Sequence, residues 1–237
     1  RWRKERKRAV PSPSAIFRYL EAFHDAEQEK AREKSTAFIP EPNEYLRGFG
    51  LINAAMAGFV NRQSTQETAT LDMDATLSAT NKAAALYCYD GYKSYQPLNT
   101  WWAEHGIILH TEFRDGNVPA GYEQLRVLKE ALGCLPEGVT KVRLRSDTAG
   151  YQHALLSYCE RGENKRFGRI LFAIGCDVTQ EFKKAVAEVE ATDWQPLYKS
   201  VNGKQEKTGT EWAEVCFVPN AIGHSKNGPA YRYVAKR

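Results

Sequence analysis

Three aspartates carry the residue types and spacing that could do chemistry. Asp72 and Asp74 stand two residues apart in TLDMDATL (70–77), and Asp147 closes the run KVRLRSD (141–147). In the first run Leu71, Met73, Ala75 and Leu77 alternate with Asp72, Asp74 and Thr76, and a period of two predicts a strand. Ionised carboxylates on a covered central strand are costly unless paired or bound to a cation. If the strands carrying Asp74 and Asp147 are neighbours, their carboxylates converge at one end of a sheet. Such a pair suits a hard divalent cation, because Mg²⁺ prefers oxygen ligands and keeps some of its waters for a substrate phosphate. Two such ions, about 3.5–4 Å apart, can activate water and stabilise the leaving oxygen in phosphodiester cleavage. Plainer roles compete: Asp72 can belong to a hydrogen-bond network, and Asp147 can cap the helix that follows it.

The elements that must position these acids follow from the hydrophobic pattern. Residues 1–67 read as helical, with Ser14 as a cap, Ile16, Phe17, Leu20 and Phe23 at helical spacing, and a second helix over Glu44 to Arg62. Leu46, Phe49, Ile52, Ala55, Met56, Phe59 and Val60 form one broad stripe on that helix, read as core or domain packing. After the strand at 70–77, strands are expected at Ala83 to Tyr89 and Gly106 to Phe113, with Trp101 and Trp102 as packing residues between them. A helix follows through Tyr122, Leu125, Leu128 and Leu132, then the strand ending at Asp147 and a helix over Tyr151 to Cys159. The run ILFAIGC (170–176) suits a strand buried on both faces. Thr179 caps a further helix. Beyond Asp193 the texture is strand and turn: Trp194 to Ser200, a Gly/Lys-rich turn at 203–209, Trp212 to Val218 and Tyr231 to Ala235. Three strands followed by αβαβα give an α/β fold, a mixed sheet with helices on both faces, in the element order of a ribonuclease H-like domain.

Composition narrows the partners. The chain has 237 residues, 42% hydrophobic and 26% charged, which excludes a wholly disordered chain. The net charge of +4 is local: residues 1–8 hold six cations and one anion. Arg1, Arg3, Lys4, Arg6, Lys7 and Arg8 form a basic arm of the kind that follows a nucleic-acid backbone, where each neutralised phosphate releases counterions. No run reaches the roughly 18–20 apolar residues of a membrane span. No export signal opens the chain, and Arg at position 1 suggests a fragment. The five cysteines are far apart and read as buried reduced thiols of a cytosolic protein. The five histidines form no nucleophile–base pair.

The segments LDMDAT (71–76), YDGYKSYQPL (89–98), FRDGN (113–117) and LRSDTAGY (144–151) resemble bacterial insertion-sequence transposases of the DDE class, the group 1 DDE transposase domain. The similarity runs from about Pro11 to the end. Carried over by motif, Asp74 matches the first catalytic acid and Asp147 the second. Asp72 occupies the extra acidic position before the first and is the second choice. The resemblance implies a ribonuclease H-like core over 68–192, a helical, DNA-binding region over 1–67 and the start of a β-rich insertion over 193–237. It implies two Mg²⁺ or Mn²⁺ ions, cleavage at transposon terminal repeats, transfer of the freed 3′ hydroxyl into target DNA, a homo-oligomer on paired ends, and a place in the bacterial cytoplasm at the nucleoid.

The third acid departs from the family. Its Tyr-x2-Arg-x3-Glu-x6-Lys signature has no match here: Tyr158 and Arg161 begin the spacing, but residue 165 is Lys. The glutamate is therefore expected beyond this chain, with Glu181 or Glu188 as alternatives within it. Trp212, with Trp194, lies in the expected insertion and could stack on a flipped base of the DNA end, although a place in the sheet explains both more simply. The turn Arg114-Asp115-Gly116-Asn117 matches by type without an assigned role. The competing function is a DNA-binding remnant lacking the third ligand. A hydrolase acting on a non-nucleic substrate is a further alternative, and it predicts no salt-dependent DNA affinity.

Overall fold

The computed structural model describes residues 11–33, 36–201, 203–218 and 231–237. The basic arm, Arg1 to Arg8, lies outside the described residues.

The chain opens with α1 (Pro13–Glu21), α2 (Ala26–Lys30) and α3 (Glu44–Gln63). Ser12, not Ser14, caps α1, because Pro13 takes the first helical position, where its missing N–H is harmless. Phe23 packs on Phe49, ring centres 5.0 Å apart, and joins the two longer helices. The expected core stripe of α3 is instead exposed at Leu46, Phe49, Ile52, Met56 and Phe59. The helix docks through its other side, where Ala57, Gly58 and Asn61 are buried.

The strands β1 (Thr68–Ala75), β5 (Leu98–Trp102), β6 (Ile107–Glu112), β7 (Lys141–Ser146) and β8 (Leu171–Ile174) form one sheet in the order β6-β5-β1-β7-β8. The first strand is central, as its alternation implies. It runs antiparallel to β5 and parallel to β7. The second strand of the sheet is 98–102 rather than 83–89. Leu98, Thr100 and Trp102 face inward while Asn99 and Trp101 face out, so a buried threonine and an exposed tryptophan hide the alternation. Leu86–Tyr87 (β3) instead joins a small sheet with β2 (Ser78–Ala79) and β4 (Lys93–Tyr95).

Helices α4 (Gln124–Gly133) and α5 (His153–Arg161) cover one face of the main sheet. Leu71, Met73, Leu98, Trp102 and Leu144 meet Val127, Leu128, Leu155 and Cys159 there in a single cluster. The expectation of helices on both faces is not met among the described residues. The pleat puts Thr70, Asp72, Asp74, Arg143 and Arg145 on the opposite face, and such polar side chains give a helix little to bury. On this face β8 is an edge strand with Leu171 exposed, so it is not buried on both sides as its apolar run suggested.

A second cluster gathers Phe182 of α6 (Gln180–Ala187), capped by Thr179 as expected, with Trp194 and a three-stranded sheet. That sheet holds β9 (Gln195–Val201), β10 (Lys204–Val215) and β11 (Tyr233–Lys236). The expected turn at 203–209 is mostly strand. Gly209, at φ 77, supports a bulge where the register shifts between Lys207 and Glu211, so the strand continues past it. The cysteines are all free, but only Cys88 and Cys159 are buried. Cys134 and Cys176 are half-buried, and Cys216 is exposed. Burial pushes the Cys159 thiol up to about 12. Among the described residues, no helix is long and apolar enough to cross a membrane.

Candidate functional site

The register between β1 and β7 fixes the site. Thr68 pairs with Lys141 and each later residue keeps step, through Met73 with Ser146. The pairing ends there: Asp74 is the next residue of β1, and Asp147 is the first residue after β7. Both acids thus follow directly on the last paired residues, toward the C-terminal end of two adjacent parallel strands. Both are exposed. The alternation that buries Leu71 and Met73 puts Asp74 on the open face.

Each acid has a different local setting. Asp147 follows β7 and caps the short 3₁₀ turn Thr148–Gly150, its Oδ1 accepting the Ala149 N–H at 3.0 Å. The capping role anticipated for it is therefore real, and it orients the carboxylate while leaving Oδ2 outside that bond. The Asp74 side chain makes no hydrogen bond or ion pair among the described residues. Across β5 its register partner is Asn99, whose Oδ1 accepts the Thr111 hydroxyl at 2.7 Å. Nothing in the sequence singled out Asn99, because its strand was not anticipated.

Asp72 is engaged elsewhere. Arg145, its register partner on β7, meets both carboxylate oxygens, with Nη2 2.5 Å from Oδ2. This pairing pushes the Arg145 guanidinium above its usual value. Asp72 thus sits on the same face as Asp74 with its charge already balanced.

The remaining sequence candidates are scattered. Glu181 and Glu188 are exposed at the two ends of α6. Among the described residues, no group of three or more His, Cys, Asp and Glu side chains is arranged to hold a metal ion. Trp194 is buried in the second cluster, with the Arg237 guanidinium 4.0 Å from its ring centre. Trp212 is half-buried on β10, and the Arg232 guanidinium lies 6.0 Å from its ring centre. A cavity of about 840 Å³ opens beside this sheet, lined by Phe172, Phe182, Tyr231 and Tyr233 rather than by either tryptophan.

The Arg114–Asn117 turn proves to be a junction. Arg114 is fully buried, with its Nε 2.8 Å from Glu112 Oε1. Asp115 pairs with Arg32, and Asn117 donates to the Thr36 carbonyl at 3.2 Å. The turn therefore ties the segment after α2 to the sheet that carries Asp74.

Chemically, the two acids offer exposed oxygen donors, Asp74 from β1 and Asp147 from the turn after β7, and the Asp74 side chain has no protein partner among the described residues. That donor set is of the kind hard divalent cations take. A family model described as transposase DDE domain, group 1, matches residues 3–222 of the chain. Among curated proteins, none matches.

Proposed function

The chain belongs to the group 1 transposase DDE domain family, and from that premise we propose that it is a metal-dependent DNA transposase whose first two catalytic acids are Asp74 and Asp147. The observation that carries this reading is the β1–β7 register, whose last pair, Met73 with Ser146, immediately precedes the two acids. The strand order and the mixed pairing support a ribonuclease H-like core.

In this reading Asp74 and Asp147 hold Mg²⁺ or Mn²⁺ at the rim. When bound, the metal supplies Lewis-acid polarisation of the phosphate and a more acidic water. The chain's own residues do the positioning. Strand β1 fixes the backbone of Asp74, and the end of β7 with the turn after it fixes that of Asp147. The Ala149 N–H holds one oxygen of Asp147 and restricts its rotamers. Arg145 neutralises Asp72, so the face beside Asp74 carries one less uncompensated anion to repel a substrate phosphate. The DNA substrate contributes the scissile phosphate at the element's terminal repeat, and its freed 3′ hydroxyl attacks target DNA. The basic arm, Arg1 to Arg8, would neutralise flanking phosphates.

The test uses the full-length protein and a supercoiled plasmid carrying the element. Nicking at the element ends should need Mg²⁺ or Mn²⁺ and stop with chelator. Asp74→Asn and Asp147→Asn should each lower nicking by about a hundredfold or more while end binding persists, since a metal-bound carboxylate serves the chemistry rather than the grip on DNA. Mn²⁺ affinity measured without DNA should fall in both variants. Nicking at the wild-type rate in either variant would overturn that residue's assignment. Binding without cleavage in the wild type would leave the DNA-binding role alone.

A further inference from the structure

The turn that carries Asp147 is too short to hold its own shape. It is one turn of 3₁₀ helix, Thr148–Gly150. The Gly150 N–H donates to the Asp147 carbonyl at 3.2 Å, and the Tyr151 N–H donates to the Thr148 carbonyl at 3.0 Å. Such a turn fixes several backbone dihedrals for one or two bonds and is marginal by itself. Asp147 is exposed, so its side chain buries little that could pin the turn. Upstream the turn continues from β7. Downstream its anchor is Tyr151, the residue that closes it.

Tyr151 reaches into the second half of the fold. Its hydroxyl shares a hydrogen bond of 2.7 Å with the hydroxyl of Tyr233 on β11. Tyr233 is buried and held from three directions: it pairs with Val215 of β10, and its ring centre lies 5.2 Å from that of Phe217 and 6.4 Å from that of Phe182. Among the described residues, no other hydrogen bond joins the three-stranded sheet to the rest of the chain. The neighbouring ring contact of Phe172 with Tyr231 is apolar. Apolar contacts are non-directional, whereas a hydrogen bond between two anchored hydroxyls selects one docking geometry.

We propose that Tyr151 and Tyr233 are positioning residues: their hydrogen bond fastens the three-stranded sheet to the turn and so fixes where the Asp147 carboxylate stands. The inference rests on Asp147 serving the cleavage chemistry, in which neither tyrosine touches the reacting atoms. The path from anchor to acid has little slack. A Cβ on Gly150 would stand 2.7 Å from Ser146 Cβ, and one on Gly175 would stand 3.1 Å from the Thr148 nitrogen. The turn is packed against backbone at both places, and close packing transmits a displacement rather than absorbing it.

Tyr151→Phe and Tyr233→Phe in the full-length protein test this, since each keeps the ring and removes one hydroxyl. Amide hydrogen exchange at Ala149, Gly150 and Tyr151, measured without metal or DNA, should speed up about threefold to tenfold in each, the worth of one hydrogen bond. The kcat for nicking should fall by a similar factor, with the KM for end DNA unchanged. The double variant should be no worse than either single one, because all three lose the same bond. Tyr231→Phe is the control and should match the wild type throughout. Unchanged exchange in the turn, or losses that add in the double variant, would overturn the proposal. Faster exchange beside wild-type nicking would overturn the positioning role. Faster exchange in a protein whose wild type does not nick would uphold the fastening and overturn the cleavage reading instead.

Discussion

Arg145 grips Asp72 through both carboxylate oxygens from the directly opposed position on the neighbouring strand. Two residues on, on the same face, Asp74 has no such partner among the described residues. The pair is partly exposed, with side chains 55% and 34% accessible, so it contributes no more than about 1 kcal/mol to stability. Its larger effect is on which acid is available to a metal.

The first prediction separates the two aspartates. Asp72→Asn should lower metal-dependent nicking less than about tenfold, against a loss of about a hundredfold or more for Asp74→Asn. Arg145→Gln should leave stability within about 1 kcal/mol and increase Mn²⁺ binding, because it releases an anion beside the site. Steady-state nicking and metal titration check both. Equal losses for Asp72→Asn and Asp74→Asn would assign Asp72 to the metal as well.

The turn that holds Asp147 leaves no room for a side chain at Gly150. A Cβ there would stand 2.6 Å from Ser146 Oγ and 2.7 Å from Ser146 Cβ. Gly150→Ala should therefore destabilise by about 1–3 kcal/mol, as overpacking does. It should also lower nicking at temperatures where the variant is still folded, because the turn must shift under Asp147. Gly133→Ala is the control: a Cβ there meets nothing within 4 Å, and its change should be neutral or slightly stabilising. Urea titration with nicking assays on the same samples checks the pair.

The buried Arg114 depends on a single carboxylate. Glu112 Oε1 lies 2.8 Å from the Arg114 guanidinium, and its Oε2 lies 2.6 Å from Arg126. Arg126 in turn reaches Glu123 and Glu130. Glu112→Gln keeps the shape but leaves a buried cation unpaired, which typically costs about 3–5 kcal/mol. The urea midpoint should fall accordingly. A change under about 1 kcal/mol would mean that the Arg114 charge is balanced by other groups.

The acid pair was legible in the sequence because strict alternation reports a half-open strand, and 70–77 alternates without a break. A meeting with Asp147 requires that the two strands be neighbours, and β1 and β7 are paired in parallel. The strand at 98–102 was not legible, because Thr100 is buried and Trp101 is exposed, the reverse of what their side chains suggest. The exposure of α3 was not legible either. A helical stripe states which residues share a face, but not whether the fold covers that face. The pairing of Asp72 with Arg145 depends on cross-strand register, which a single strand's pattern does not contain.

His110 gives a pH dependence with a definite sign. Burial holds its imidazole below the ordinary value of 6.5, against the pull of Glu130 and Glu112 and with a smaller push from Arg126. Its Nε2 lies 3.1 Å from Glu130 Oε2. The unfolded chain therefore binds this proton more readily than the folded one, and the unfolded state gains as the medium becomes acidic. The histidine's contribution is fully present above pH 6.5 and is lost as pH falls from there through the lower folded value. Urea midpoints should drop across this window in the wild type. His110→Gln can still donate to Glu130 but cannot take up a proton, so its profile should be flatter there. An unchanged slope in that variant would mean that other groups set the acid limb.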